Sequence, residues 1–233
     1  MSYLNDRFPG IWCPGCAISV ALRQLVKRFE ELDWKKEDIC VVSGIGCTGR
    51  GAGYTAMDSV HTCHGRALPV AEGIKRSNEK LNVVVFSGDG DLLGIGGNHL
   101  LHCARRNVNI TVICINNDIY GMTGGQLAPT SEKGKKTVTS PYGSEVEPIN
   151  VYNFLKDFKG IYYARTSGFH IKHLQQVMKE ALEWKGFSFV EVRTRCQTNE
   201  RISTVDVLNK LKGSYKVCSK IEGDLDLGSV KND

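Results

Sequence analysis

The sequence of 233 residues predicts an α/β fold in which a mainly parallel sheet is covered by helices on both faces. Short apolar runs, typical of buried strands, alternate with longer stretches in which apolar residues recur every three or four positions. Strands that alternate with helices are typical of parallel sheets with helical crossovers. The length suffices for one sizeable core, and no internal repeat interrupts the pattern.

Each predicted element follows from its own pattern. Apolar runs rich in valine and isoleucine predict buried strands, which in chain order lie at 39–42, 81–86, 110–115, 161–164 and 187–192. Apolar residues at helical spacing predict amphipathic helices, which in chain order lie at 18–29, 98–107 and 171–182. The middle helix joins two strands, and such a crossover leaves both strand ends at the same edge of the sheet.

Two regions lack a regular pattern. Residues 121–150 contain five glycines and three prolines, and a stretch of this length predicts a lid or a partner-binding loop. The polar residues 211–233 are expected to form a peripheral C-terminal tail. The domain itself is predicted to comprise residues 1–210.

A carboxylate and a carboxamide follow two neighbouring strands of the predicted sheet. Gly88-Asp89-Gly90-Asp91 comes after the strand at 81–86, and Asn116-Asn117 comes after the next strand. Ligands of open α/β sheets bind at this carboxyl edge, and magnesium prefers oxygen ligands from carboxylates, carbonyls and phosphates. We therefore expect Asp89 and Asn117 to hold a magnesium diphosphate, which the flanking glycines allow to approach the backbone.

The glycine-rich turn matches the common nucleotide-binding motifs poorly. A dinucleotide site requires G-x-G-x-x-G and an acidic residue about 20 positions later, where this chain has amides. The G-x-x-x-x-G-K-S/T motif of a P-loop does not occur. A purely structural turn accounts for the glycines alone but not for the asparagine pair that follows.

The nine cysteines indicate a reducing environment. The N-terminus lacks the pattern of a signal peptide, and the sequence has no apolar run near 18 residues, so we expect a cytoplasmic protein without a membrane segment. Cys13 and Cys16 form a C-x-x-C pair, which alone fits zinc, a redox dithiol or an iron–sulfur cluster. A formal charge of +5 without a basic helix argues against nucleic acid as a partner.

The asparagine pair also carries a resemblance to a known family. Gly88-Asp89-Gly90 with Asn116-Asn117 resembles the signature of thiamin diphosphate enzymes. The run NNDIYGMTGGQ at 116–126 resembles, more specifically, the β subunit of 2-oxoacid:ferredoxin oxidoreductases. WCPGC at 12–16, GIGC at 44–47, HTCHGRALPVA at 61–71 and the late Cys196 resemble that family in the same order. The resemblance covers roughly residues 10 to 200.

The resemblance implies the thiamin-diphosphate-binding fold, with thiamin diphosphate and Mg²⁺ as cofactors. The implied magnesium ligands are Asp89, Asn117 and the backbone carbonyl of Ile119. The residues implied to bind the cofactor are Gly44, Ile45, Gly46, Cys47, His64, Gly65, Gly88, Asp89, Gly90, Asp91, Asn117, Ile119, Gly121, Met122 and Thr123.

A second cofactor and two candidate catalytic residues follow from the same resemblance. It assigns one [4Fe-4S] cluster to four cysteines, with structural zinc as the alternative: Cys13, Cys16, Cys47 and Cys196. His64 is implied to lie near the diphosphate and thiazolium of the cofactor. Arg50 is a candidate for meeting a substrate carboxylate through its planar guanidinium, and a solvated loop arginine is the alternative.

The implied activity is oxidative decarboxylation of a 2-oxoacid with coenzyme A to an acyl-CoA and CO2, with electrons passing through the cluster to ferredoxin. Reductive carboxylation is the reverse of this reaction. Residues 122–126 favour 2-oxoglutarate, while pyruvate and branched-chain 2-oxoacids are alternative substrates. A non-oxidative two-subunit thiamin diphosphate decarboxylase is the alternative enzyme, and a zinc-stabilised binding module is the alternative without catalysis.

Thiamin diphosphate chemistry also implies a partner chain. In these enzymes a glutamate on a second domain acts on the aminopyrimidine ring. The 87 residues before Gly88 do not resemble that domain, so we expect an α subunit to supply the pyrimidine-binding domain and the glutamate. Further γ and δ subunits are compatible with the resemblance.

Overall fold

An eight-stranded sheet forms the centre of the computed structural model, which describes residues 3–221 and 226–232. The strands are β1 (Ile39–Ser43), β2 (Asp58–His61), β3 (Asn82–Gly88), β4 (Thr111–Asn116), β5 (Ile119–Tyr120), β6 (Gln126–Leu127), β7 (Ile161–Ser167), β8 (Ser188–Arg193), β9 (Lys216–Val217) and β10 (Asp226–Asn232). The helices are α1 (Ile18–Glu31), α2 (Ala67–Ser77), α3 (Gly97–Arg105), α4 (Val151–Leu155), α5 (Ile171–Glu183), α6 (Gln197–Glu200) and α7 (Thr204–Ser214).

The sheet is mainly parallel, as the sequence predicts. Its strand order is β2-β1-β3-β4-β8-β7-β10-β9, and the first six of these strands run parallel to their neighbours. β10 is antiparallel to β7, and the short β5 and β6 form a separate antiparallel pair. Every residue of β1 and β4 is buried, because helices cover both faces of the sheet.

Successive residues of the central strands point into two different apolar layers. Val83 and Val85 pack in the layer that includes residues of α2 and α3, whereas Val84 and Phe86 pack in the layer of α1 and α5. This alternation follows from the two-residue period of a strand. The two layers hold the sheet between helices, and its carboxyl edge carries the loops.

The register of β3 and β4 positions the predicted site. Gly88 at the end of β3 pairs with Ile115 near the end of β4. Asp89 and Asn117 therefore leave the sheet side by side, at the edge that the sequence predicts. A π-helical turn over Gly90–Ile95, with a kink at Gly94, leads from there into α3.

Among the strands and α-helices that precede β3, two are absent from the sequence prediction. The edge strand β2 is largely exposed and contains only one partly buried residue, Val60, so it lacks the apolar run of a buried strand. α2 begins at Ala67 and carries Pro69 in its first turn, where a missing N–H costs no helical hydrogen bond.

The last described residues differ from the expected peripheral tail. α7 runs across residue 210, and a capping box between Ser203 and Asp206 begins it. β10 then hydrogen-bonds to β7 and so extends the main sheet. The apolar pattern of residues 211–233 is weak because β10 lies near the sheet edge and gains its stability from pairing with β7. The division of the chain at residue 210 itself stays a prediction.

Within the two described ranges, no helix combines the length and the apolar character that crossing a membrane requires.

Candidate functional site

A cleft of about 580 Å³ opens at the carboxyl edge of the sheet, beyond the ends of β3 and β4. The residues that line it are Ile45, Gly46, Cys47, Thr48, His64, Gly88, Asp89, Gly90, Asp91, Ile115, Asn117, Ile119, Tyr120, Gly121, Met122 and Thr123. The structure thus brings together the predicted cofactor-binding residues, except Gly44 and Gly65, which lie directly behind the lining.

Asp89 is one of two buried carboxylates of this cleft, with 2% of its surface exposed. The Thr130 hydroxyl donates a hydrogen bond to its Oδ2, and the Asn117 backbone N–H lies 3.5 Å from its Oδ1. Burial raises the pKa of the Asp89 carboxyl to about 7, although the Thr130 hydrogen bond opposes this rise. A cation bound here would offset the cost of burying the charge, so Asp89 fits a magnesium ligand.

Asn117 and Ile119 are held on either side of a strained residue. Asp118 between them has φ +59°, which is rare for a residue with a side chain. Its backbone carbonyl accepts hydrogen bonds from Ser131 Oγ at 2.6 Å and Lys135 Nζ at 3.1 Å. This conformation orients the two flanking residues toward the cleft, where their oxygens could join Asp89 around a metal ion.

The Asp118 side chain ties this turn to β8 and to the segment after it. Its Oδ2 lies 2.8 Å from Arg193 and 3.4 Å from Arg195, and the residue is fully buried. The preceding Asn116 donates to Glu191 of β8 at 2.7 Å. Paired buried charges of this kind hold the turn in one geometry.

The Asp91 carboxylate accepts hydrogen bonds from two loops and from the end of β3. Its Oδ1 accepts hydrogen bonds from the N–H groups of Ile45 at 3.1 Å and Gly65 at 2.7 Å, and its Oδ2 accepts one from Ser87 at 2.8 Å. A Cβ at Gly44 would overlap the Asp91 carboxylate. The roles of Gly44 and Gly65 next to the cleft are therefore to make room for this carboxylate and to bind it.

Tyr120 and His64 form one wall of the cleft. The Tyr120 hydroxyl donates to the Gly90 carbonyl at 3.1 Å, and a Cβ at Gly90 would overlap the Tyr120 ring. The glycine after Asp89 is thus required by the tyrosine as well as by any diphosphate. The His64 ring stands edge-on to Tyr120, and its Nε2 lies 3.6 Å from Asp91 Oδ1.

Arg50 is placed differently from the other predicted site residues. It lies in the 3₁₀ helix Thr48–Tyr54 that follows Cys47, its side chain is exposed, and it is not part of the cleft lining. The geometry therefore adds no support to a contact between Arg50 and a substrate held in this cleft.

The four predicted cluster cysteines are neighbours in the folded chain. Burial, with smaller contributions from the nearby thiols of Cys196, Cys47 and Cys13, raises the pKa of the Cys16 thiol to about 12. Burial also raises the pKa of Cys47, again with Cys196 and Cys13 adding to the effect. All four are free thiols, and Cys47 belongs to the cleft lining as well. The cysteine neighbourhood therefore adjoins the cleft.

Loop contacts hold this neighbourhood together. The Trp12 indole donates to the Cys47 carbonyl at 2.7 Å, and Cys13 Sγ lies 3.1 Å from Thr198 Oγ1. Across the part of the chain that the structure describes, no three His, Cys, Asp or Glu side chains converge closely enough to enclose a single metal ion. The ligand sets for magnesium and for the cluster therefore stay predictions.

Three lining residues and two supporting residues were not predicted. Tyr120 and Thr48 adjoin residues that were, so extending the predicted runs by one residue would have included them, whereas Ile115 lies two residues before Asn117. Asp118 lies between two predicted residues, but no sequence signal indicates that it or Thr130 supports the site. Their roles depend on long-range contacts, of Thr130 with Asp89 and of Asp118 with β8, which local sequence does not encode.

Comparison with known proteins agrees with this geometry. The family model "Thiamine pyrophosphate enzyme, C-terminal TPP binding domain" matches residues 44–192. The chain is 43% identical to the 2-oxoglutarate synthase subunit KorB of Archaeoglobus fulgidus, over 91% of this chain and 79% of that protein. It is 47% identical to the subunit of the same name from Methanocaldococcus jannaschii, over 83% of this chain and 72% of that protein.

A solved structure shows the same fold. It is the 2-oxoglutarate:ferredoxin oxidoreductase of Magnetococcus marinus with 2-oxoglutarate, coenzyme A and succinyl-CoA bound. The TM-score is 0.90 at 30% sequence identity, and the match covers 99% of this chain and 84% of that chain. The resemblance predicted from the sequence motifs is thereby confirmed.

Proposed function

The chain belongs to the β subunits of the 2-oxoacid:ferredoxin oxidoreductases, within the thiamin diphosphate enzymes, and we propose on this basis what it binds and catalyses. With an α subunit it oxidatively decarboxylates 2-oxoglutarate, joins the acyl group to coenzyme A and passes the electrons through a [4Fe-4S] cluster to ferredoxin. The observation that carries the proposal is the convergence of Asp89, Asn117 and Ile119 at a cleft that adjoins the cysteine neighbourhood.

Thiamin diphosphate and Mg²⁺ are proposed to occupy this cleft. Hard oxygen ligands are available from Asp89, Asn117 and the Ile119 carbonyl. The raised pKa of Asp89 supports a cation bound to these oxygens. When bound, thiamin diphosphate supplies a thiazolium ring that accepts the electron pair released as a 2-oxoacid loses CO2. The chain's own part is to orient the diphosphate, through Asp89 and the loops that Asp91 joins.

His64 is proposed to act beside the bound cofactor. Its ring lines the cleft and is held by Tyr120 and Asp91. The contact with the Asp91 carboxylate orients the imidazole ring, which suits a group that holds or moves a proton near the reacting atoms. The exposed Arg50 stays a prediction for the substrate carboxylate.

The four thiols of Cys13, Cys16, Cys47 and Cys196 are proposed to bind the cluster. A [4Fe-4S] cluster accepts single electrons, which the oxidative reaction releases. The pKa of Cys16 near 12 means that the free thiol keeps its proton, and iron binding would displace that proton. The short separation between this neighbourhood and the cleft, which share Cys47, supports direct electron transfer.

An α subunit is proposed to close the cleft. Asp89 and Asp91 are the acidic residues of the described lining, and both are engaged by hydrogen bonds within the chain. The glutamate that acts on the aminopyrimidine would come from the partner. Large apolar side chains at and beside the cleft, Ile45, Ile95 and Met122, are between 37% and 54% exposed, as expected for a surface that another chain covers.

The substrate, the electron acceptor and the location are proposed from the relatives and from the cysteines. The related enzyme of Magnetococcus marinus binds 2-oxoglutarate and coenzyme A, which favours these molecules over pyruvate here. Ferredoxin is the proposed electron acceptor, as in the names of other relatives. Nine free cysteines are consistent with a cytoplasmic location, where thiols remain reduced.

The test separates the two cofactors. The chain is purified without oxygen together with its α subunit, and iron, acid-labile sulfide, zinc and thiamin diphosphate are measured. We expect about four irons and four sulfides per chain. Asp89→Ala should lose thiamin diphosphate and keep iron, whereas Cys196→Ser should lose iron and keep thiamin diphosphate.

Matched controls replace the same residue types elsewhere. Asp58→Ala, in the exposed strand β2, and Cys63→Ser, an exposed cysteine, should retain both cofactors. Thiamin diphosphate without iron in the unmodified complex would instead indicate the non-oxidative decarboxylase. Zinc without thiamin diphosphate would contradict the enzyme assignment altogether.

A further inference from the structure

Asn199 connects the thiamin cleft to the cysteine neighbourhood. It lies in α6, three residues after Cys196. Its side-chain Nδ2 donates to the backbone carbonyl of Gly121 at 3.0 Å and to Cys196 Sγ at 3.1 Å. Gly121 lines the cleft, so a single amide contacts both proposed cofactor sites.

The orientation of this amide is determined by its partners. A backbone carbonyl can only accept a hydrogen bond, so the NH2 end of the side chain must face Gly121. A thiolate is also an acceptor, and the second amide hydrogen can point at Cys196. Both contacts therefore require an amide donor, and a carboxylate of the same shape could make neither.

Two glycines leave the space that Asn199 occupies. A Cβ at Gly125 would lie 3.0 Å from Asn199 Oδ1, and Gly125 also has φ +94°, a conformation that favours glycine. A Cβ at Gly121 would lie 3.3 Å from Cys196 Sγ. The glycines of the segment after β5 thus allow the thiamin loop and the cysteine loop to approach one another.

We propose that Asn199 is a positioning residue that fixes Cys196 against the thiamin loop and raises the reduction potential of the cluster. The proposal rests on the function given above. A hydrogen bond to a ligating sulfur stabilises the additional negative charge of the reduced cluster. Removing the donor therefore lowers the reduction potential. It also releases the Gly121 carbonyl, which loosens the cleft wall.

The neighbouring Thr198 offers a matched control. Its Oγ1 lies 3.1 Å from Cys13 Sγ, another proposed cluster ligand, and it is not a contact of Gly121. Arg195 lies beside Cys196 and forms ion pairs with Asp118 at 3.4 Å and Glu200 at 3.1 Å. These ion pairs remain when Asn199 is replaced, so the loop is expected to keep its fold.

The experiment uses the complex with the α subunit, purified without oxygen. Redox titration followed by electron paramagnetic resonance gives the midpoint potential of the cluster, and calorimetry gives the dissociation constant of thiamin diphosphate. Asn199→Leu, which keeps a branched side chain of four heavy atoms but has no donor, should lower the midpoint potential at unchanged iron content and weaken thiamin diphosphate binding severalfold. Asn199→Asp, which adds a negative charge, should lower the potential further. Thr198→Val should lower the potential and leave the dissociation constant unchanged.

Each alternative outcome has a definite meaning. An unmodified complex without iron would overturn the proposed function rather than the role of Asn199. Full iron content with an unchanged midpoint potential in Asn199→Leu would overturn the effect of Asn199 on the cluster. A shift in Asn199→Asp alone would also overturn it, because the added charge would then explain the shift without any lost hydrogen bond. Iron loss in Asn199→Leu with the remaining clusters at the unmodified potential would indicate a merely structural role. An unchanged dissociation constant in Asn199→Leu would overturn the link to the cleft.

Discussion

The Gly65 N–H donates a 2.7 Å hydrogen bond to Asp91 Oδ1, so the residue two positions beyond Asp89 holds the turn that carries His64. The same oxygen accepts the Ile45 N–H, and the other oxygen accepts the Ser87 hydroxyl. Two loops of the cleft and the end of β3 thus share one buried carboxylate. Their arrangement depends on that carboxylate before any cofactor binds.

Asp91→Asn should therefore disturb both the fold and the cleft. The amide can keep its oxygen toward the Ile45 and Gly65 N–H groups, but its NH2 group then faces the Ser87 hydroxyl, which loses its acceptor. The charge that strengthens these hydrogen bonds is also lost, and we expect a cost of about 1–3 kcal/mol. We expect a lower free energy of unfolding in urea and at least tenfold weaker thiamin diphosphate binding, which corresponds to about 1.4 kcal/mol. Asp58→Asn on the exposed edge strand is the control. If Asp91→Asn unfolds and binds thiamin diphosphate as the unmodified chain does, Asp91 does not hold these segments together.

Gly44→Ala should reproduce much of this loss by steric means. The added methyl group overlaps the Asp91 carboxylate, which must then move away from the N–H groups it accepts. Gly73→Ala is the matched control, because a Cβ at Gly73 within α2 has open space and alanine favours a helix by about 0.5–1 kcal/mol. Circular dichroism during urea unfolding compares the two. Equal stability of both variants would contradict the assigned role of Gly44.

Thr130→Val removes the hydroxyl that donates to Asp89 while keeping the side-chain shape. Groups that orient a metal ligand typically contribute about 10–100-fold to metal affinity, so magnesium-dependent thiamin diphosphate binding should weaken by about that factor. Titration of Mg²⁺ at fixed thiamin diphosphate measures the change. Thr137→Val, in the same irregular segment but away from the cleft, should bind as the unmodified chain does. If both variants bind alike, Thr130 does not orient Asp89.

The pKa of Glu72, a residue outside the cleft, predicts that the stability of the fold depends on pH. Burial opposes its ionisation, but hydrogen bonds from Arg106 and Arg76 outweigh burial and lower the pKa of Glu72 to about 2 from 4.5. A carboxyl whose pKa is lowered by folding stabilises the fold when the pH is above the pKa that it has in the unfolded chain. This stabilisation is lost as the pH falls from about 4.5 towards 2. The partner arginines are partly exposed, so we expect about 1–3 kcal/mol at neutral pH.

The comparison of Glu72→Gln with the unmodified chain measures this contribution. The stability deficit of the variant should be constant between pH 8 and about pH 5.5 and should shrink at lower pH. Glu79→Gln, an exposed glutamate beyond the end of α2, changes the net charge equally and should show no such deficit. A deficit for Glu72→Gln that grew on acidification would contradict the proposed origin.

The central strands and main helices were predictable because their residues are buried on a regular period. β3 and β4 lie within about two residues of their predicted bounds, and α5 follows its apolar spacing closely. The edge strand β2 and the final strand β10 were not predictable in this way. Both owe their structure to pairing with strands distant in sequence, β1 and β7.

The predicted site residues also divide by the range of their contacts. Asp89 and Asn117 were predictable because each follows a buried strand, and a crossover places such strand ends together. The supports of the site, Thr130 on Asp89 and Asp118 between Arg193 and Arg195, were not. They lie in irregular or strained segments whose conformation depends on contacts with other parts of the chain.

The sequence by itself determined the fold class, the family and the residue types that the chemistry requires, because burial period and motif spacing are local properties. Only the tertiary structure decided that Asp91 joins two loops to the end of β3, that Arg50 lies outside the cleft, and that Asn199 bridges Gly121 and Cys196. The hydrogen bonds of Asp91 with Gly65 and of Asn199 with Gly121 join segments far apart along the chain. Such bonds depend on how the loops pack above the sheet, and the sequence of a single segment does not predict that packing.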